Sequence, residues 1–168
     1  TMTTTQTVLQ YEIKKKPTDG VPVIVVAAGS FTRMNGINKQ LMELCGIPVI
    51  IRTLMAFQRS DDISDIILVV RADDVFELQM LTEKYKITKL TDIICGGSFR
   101  QESVIKGLSR VAKGQKCVLI HDGARPLIDS RTIHAVVQAL KTGDAAIPAV
   151  KSKDTVKQVD KYGKVIKT

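Results

Sequence analysis

Two cations stand beside a small-residue loop early in this chain. The apolar run Val23-Ile24-Val25-Val26 stops at Ala27-Ala28-Gly29, and Arg33 and Lys39 follow shortly after. An apolar run ending on small residues reads as a buried strand breaking into a tight loop. Such a loop lets a ligand lie close to the backbone, and its amides can serve as anion donors. With two fixed cations alongside, this suits a nucleoside triphosphate, whose reacting phosphorus gathers negative charge in the transition state. No G-x-G-x-x-G follows the strand and no Gly-Lys-Ser/Thr closes the loop, so the dinucleotide fingerprint and the P-loop are both excluded. The plain alternative is a strand-to-helix turn carrying two solvated basic side chains.

Three further segments carry chemistry. Gly96-Gly97-Ser98-Phe99-Arg100-Gln101-Glu102-Ser103-Val104 takes a glycine pair straight into a helix. The free amides of that helix start could meet a base or a ribose hydroxyl, or Ser98 could simply cap the helix. In His121-Asp122-Gly123-Ala124-Arg125-Pro126, a carboxylate at a strand end is a natural Mg²⁺ ligand when substrate phosphates complete the shell. Arg125 offers a fork of donors to an anionic group; the alternative is an Asp122–Arg125 ion pair within the loop. His121 reads as structural, and His134, inside a helix, as solvated or packed. The Lys/Val alternation from Lys151 to Lys167, around Gly163, reads as a β-hairpin arm able to pair with another subunit, or else as an exposed charged edge.

These segments need a scaffold that brings them together. Strand-like runs fall at Val21–Ala27, Ile66–Val70, Ile93–Cys95, Cys117–Ile120 and Ala145–Val150. Helical patterns lie between them: Ile47–Phe57 with Pro48 in its first turn, a helix capped by Asp73 or Asp74 and reaching about Lys84, and Gln101–Ala112 with Val104, Leu108 and Val111 on one face. The last, capped by Asp129 or Ser130, reaches Lys141. Repeated strand–helix units predict an α/β fold: an open, mostly parallel Rossmann-like sheet with helices on both faces, plus the C-terminal β-arm at about 151–168. Ligands in such folds bind outside the carboxyl ends of the strands, where all four segments fall.

Composition sets the outer limits. The length of 168 residues suits one domain, 21–168, behind a polar lead-in over 1–20 that is expected to be disordered. No apolar stretch approaches the roughly 20 residues a membrane-spanning helix needs, and no signal-peptide core is evident, so a cytoplasmic location is expected. Cys45, Cys95 and Cys117 have neither disulfide-framework nor zinc spacing. The net charge of +8 invites a nucleic-acid partner, but six lysines against two aspartates after Val150 supply half of it, and aromatic residues are only 4%. Without a stacking platform for single strands, a polyanionic small substrate, or a compensating acidic segment outside this chain, explains the excess as well.

The four segments, in order, resemble the 2-C-methyl-D-erythritol 4-phosphate cytidylyltransferases. The motifs are A-A-G…R-M…K-Q, G-G-x-x-R-x-x-S-V-x-x-G-L, H-D-x-A-R-P and K-D-T, over roughly Val21 to Thr155. The resemblance implies transfer of a cytidylyl group from CTP to a polyol phosphate with release of pyrophosphate, using Mg²⁺, in a homodimer joined through the arm. It implies that Ala27, Ala28 and Gly29 line the nucleotide, that Gly97 and Ser98 lie at the cytosine, and that Ser103 lies near the ribose. Arg33 and Lys39 would stabilise the pentacoordinate α-phosphate, Asp122 would hold the metal, and Arg125 and Thr155 would meet methylerythritol phosphate. The chain departs from the family pattern at Phe31, where a second glycine is usual, and at Ser98, where aspartate is common. The Arg33–Lys39 gap is also one residue shorter than the commonest spacing. The family's T-P-Q segment is not found before Thr168, so a fragment or truncated product is expected. Ribitol 5-phosphate cytidylyltransferases share a similar motif order, and a catalytically silent nucleotide-binding module is the reading from another class.

Overall fold

The computed structural model describes residues 11–12, 20–29 and 38–168. Its main sheet has five strands in the order β1-β6-β5-β2-β7. These are β1 (Tyr11–Glu12), β2 (Val21–Val26), β5 (Ile63–Val70), β6 (Leu90–Cys95) and β7 (Leu119–Asp122). β2, β5, β6 and β7 are parallel, and β1 runs antiparallel to β6 at the edge. Tyr11–Glu12 lies within the stretch expected as a disordered lead-in, and nothing in its sequence marks it as a strand. The small hairpin of β3 (Glu43–Leu44) and β4 (Ile47–Pro48) stands apart.

The two central strands explain the architecture. Val23, Ile24 and Val25 of β2 and Ile66 to Val70 of β5 are fully buried or nearly so. Strands covered on both faces must be apolar at every position, and these are. On one face, α1 (Val49–Arg59), α2 (Val75–Lys84) and α4 (Ser130–Ala139) pack Ile50, Ile51, Leu54, Phe57, Leu78 and Ile133 against Val23, Val25, Ile66 and Leu68. On the other, Ile24, Ile67, Val69 and Ile94 form a smaller cluster, beneath α3 (Arg100–Leu108). The mostly parallel sheet with helices on both faces is therefore as the sequence implied.

Several local expectations need correction. Ile47–Pro48 is strand rather than helix: it pairs with Glu43–Leu44, and the helix starts after Pro48. α3 is shorter than Gln101–Ala112, because Arg110 and Val111 close i→i−3 turns on Gly107 and Leu108 instead of continuing it. Its buried positions are Ser103 and Gly107, one turn apart, while Leu108 is exposed. Small residues there let the helix lie close to β2. The fifth strand, Ala145–Val150, does not form. Its alanines offer little apolar surface to bury and Pro148 has no N–H for a ladder, and Ile147 and Val150 are left exposed. Of the C-terminal arm, β8 (Gln158–Val159) and β9 (Val165–Lys167) form the expected hairpin around Gly163.

Candidate active site

Three of the four chemistry-bearing segments follow the carboxyl ends of parallel strands, β2, β6 and β7; the fourth, from Lys151 to Lys167, follows no strand of that sheet. Ala27 and Ala28 leave β2 at the centre, and their neighbours crowd in from both sides. A Cβ on Gly96, at the end of β6, would collide with Ala28 and come within 2.7 Å of Ser103 Oγ. A Cβ on Gly123, after β7, would lie 2.7 Å from Ile50 Cδ1 and 3.1 Å from Ala27 Cβ. Only glycine allows three loops to meet so closely. Gly123 also donates its amide to Val26 O at 2.8 Å and accepts at its carbonyl from Thr53 Oγ1 at 2.8 Å.

The residues on either side of Lys39 are anchored near the same place. Gln40 is buried and donates Nε2 to Ala27 O at 2.7 Å, while its backbone oxygen accepts from Ile50. Asn38 donates Nδ2 to Asp74 Oδ1 at 3.3 Å, and its side-chain oxygen accepts from the Gln40 amide at 3.2 Å. Lys39 is exposed between these two anchored residues. Arg33 lies outside the described residues, as does Phe31.

The glycine loop after β6 is organised from within. Ser103 is buried; its hydroxyl accepts from Gly97 N–H at 3.0 Å and donates to Phe99 O at 3.2 Å. The Ser98 amide donates to Glu102 Oε2 at 2.8 Å. Both loop amides thus have partners on α3, and Ser103 acts as a clamp on the loop. Glu102, at the third position of the helix, holds the amide of Ser98 rather than that of the N-cap residue Phe99, so no Ser/Thr capping-box spacing announces it.

Asp122 ends β7 between two arginines. Arg100 donates to Oδ1 from Nη2 at 2.9 Å and from Nε at 3.3 Å, and Arg125 Nη2 lies 2.8 Å from Oδ2. The loop ion pair considered as an alternative from the sequence is therefore present, with Arg100 as a third member. Thr155 lies in the exposed stretch before β8, and no hydrogen bond joins it to Asp122 or Arg125 among the described residues. His121 packs edge-on against Phe57 at 5.0 Å, and burial lowers its pKa below the usual 6.5, against the pull of the Asp122 carboxylate. His134 is exposed and meets both Asp62 oxygens at 3.1 Å.

The family resemblance assigns Mg²⁺ to Asp122. Both Asp122 oxygens already carry guanidinium partners, and no cluster of three His, Cys, Asp or Glu side chains occurs among the described residues. Mg²⁺ is commonly held by one or two carboxylates plus phosphate oxygens, so an ion at Asp122 would displace a guanidinium and take its other ligands from the nucleotide.

A family model described as 2-C-methyl-D-erythritol 4-phosphate cytidylyltransferase matches residues 21–168, taking in every segment above. The chain belongs to this family. The cytidylyltransferase of that name from Geobacillus thermodenitrificans is 46% identical over 138 residues, 82% of this chain and 60% of the relative. The one from Clostridium novyi is 45% identical over 142 residues, 83% of this chain and 61% of the relative. A solved 4-diphosphocytidyl-2C-methyl-D-erythritol synthase from Anaerococcus prevotii superposes with a TM-score of 0.78 at 33% identity, over 89% of this chain and 63% of that one. The chain thus spans about 60% of the length of the cytidylyltransferase relatives it matches. Among the described residues, no helix is long and apolar enough to cross a membrane.

Proposed function

We propose that this chain binds CTP in the cleft around Ala27 and Ala28 and transfers its cytidylyl group to 2-C-methyl-D-erythritol 4-phosphate, releasing pyrophosphate. The observation that carries this reading is the convergence of the Ala27-Ala28-Gly29 loop, the Gly96–Phe99 loop, Lys39 and Arg125 at one end of a parallel sheet, in a chain of this family. Ala27, Ala28 and Gly29 line the triphosphate. Gly97 and Ser98 face the cytosine, with Ser103 supporting them from behind rather than touching the ribose. Lys39 and Arg33 neutralise charge on the α-phosphate as the phosphate oxygen of the alcohol attacks. That nucleophile is already an anion, so positioning and charge neutralisation carry the rate and no general base is required. Arg125 and Thr155 receive the phosphate of the alcohol.

Magnesium, which lowers the charge of a triphosphate, belongs on the nucleotide in this reading, and no step is assigned to it at Asp122. The exposed Val159, Tyr162 and Val165 of the arm suit pairing with a second copy. Phosphorylated, water-soluble substrates suit a cytoplasmic location.

The test is pyrophosphate release from CTP and Mg²⁺ with methylerythritol phosphate and ribitol 5-phosphate offered in parallel. Release with methylerythritol phosphate alone is expected. Release with ribitol 5-phosphate alone, or CTP binding with no release from either alcohol, would overturn the assignment.

A further inference from the structure

Arg100 has no part in the roles above, yet it is the first residue of α3 and reaches across to Asp122, twenty-two residues on. It places two nitrogens on Asp122 Oδ1, while Arg125 holds Oδ2 through Nη2. One carboxylate is thereby divided, each oxygen to a different arginine. Arg125 keeps a one-oxygen pair, and its side chain is 74% exposed against 31% for Asp122. A guanidinium carries five N–H donors, and its strongest pairing with a carboxylate uses two of them side by side. Asp122 and Arg125 are three residues apart, so that two-donor pairing is within reach once Oδ1 is released.

We infer that Arg100 is a positioning residue for Arg125: by occupying Asp122 Oδ1 it restricts Arg125 to Oδ2 and keeps the remaining guanidinium donors available for a phosphate monoester. Without Arg100, Asp122 closes on Arg125 with both oxygens and competes with the incoming phosphate. The inference rests on the proposed function, which sets Arg125 at the alcohol phosphate. It also extends that reading, because it adds a residue at the start of α3 to the set that shapes the phosphate-binding loop; the Gly97 and Ser98 amides are held by Ser103 and Glu102, not by Arg100.

The experiment is calorimetric titration of the full chain, with CTP–Mg²⁺ and 2-C-methyl-D-erythritol 4-phosphate each added separately to wild type, Arg100→Ala and Arg100→Lys. Arg100→Ala is expected to weaken methylerythritol phosphate about tenfold, the scale of one charge-assisted hydrogen bond, with CTP affinity unchanged. Arg100→Lys, which restores a cation to Oδ1, should recover most of that loss. A purely structural role would instead weaken both ligands together. Unchanged methylerythritol phosphate affinity in Arg100→Ala, or an equal loss for CTP, would overturn the inference while leaving the function intact. A wild type that binds CTP but not methylerythritol phosphate would overturn the functional reading and this inference with it.

Discussion

The side-chain amide of Gln40 donates to the main-chain carbonyl of Ala27 at 2.7 Å, a buried bond across thirteen residues. It fastens the segment carrying Lys39 to the end of the central strand. Ile50 donates to the Gln40 carbonyl at 3.0 Å, so Gln40 also joins this segment to the first turn of α1.

Gln40→Ala should therefore act on stability and ligand binding together. Leaving the Ala27 carbonyl buried without its donor costs about 1–3 kcal/mol. A lower urea midpoint with an unchanged slope is expected, together with weaker CTP binding, because Lys39 loses its anchor. A variant as stable as wild type that binds CTP normally would show that Asn38 and Asp74 suffice to hold the segment.

Thr53 makes the matching contact on the other side. It is completely buried in α1 and donates Oγ1 to Gly123 O at 2.8 Å, with Val49 O farther off at 3.2 Å. Thr53→Val keeps the shape and removes the donor, so a loss of about 1–2 kcal/mol is expected in denaturant unfolding. Since Gly123 begins the loop bearing Arg125, faster amide exchange should appear at residues 123–125 and not in β5. Uniform exchange changes across the sheet would point to a packing defect instead.

What the sequence made legible is what local patterns encode. The continuous apolar runs of β2 and β5 announced buried parallel strands, and Asp129 was one of two candidate caps; its Oδ1 accepts from Thr132 N–H at 2.8 Å. The convergence of loops on the strand ends followed from the alternation of elements. What was hidden depends on partners distant in sequence. The Arg100–Asp122 pair, the Asn38–Asp74 bond and the inward turn of Ser103 have no local signature, since each is decided by how α3 and the loops pack. Ala145–Val150 has the apolar run of a strand, but its small side chains and Pro148 do not hold a sheet edge. Tyr11–Glu12 has no sequence signature, because two residues carry no periodicity.

Lys39 is assigned to the α-phosphate in the proposed function. Lys39→Ala should lower turnover by about a hundredfold or more, the scale of a lost transition-state charge contact. KM for methylerythritol phosphate should be little altered, since the proposed role is at the α-phosphate. Pyrophosphate release under saturating CTP–Mg²⁺ measures this. Undiminished turnover would remove Lys39 from the transition state.

Acid should destabilise the protein through His121. Burial holds its pKa below the usual 6.5, so the unfolded chain takes up the proton more readily than the folded one. Stability rises with pH wherever the unfolded state binds more protons. The contribution of His121 is thus fully present above about pH 6.5, the unfolded value, and is lost as pH falls from there through the lower folded value. His121→Phe keeps an aromatic ring against Phe57 and removes the titration. Urea unfolding of both proteins between pH 8 and pH 5 should show their stability difference shifting in favour of the variant as pH drops below about 6.5. A difference that stays constant across that range would mean that His121 is as easily protonated in the fold as in water.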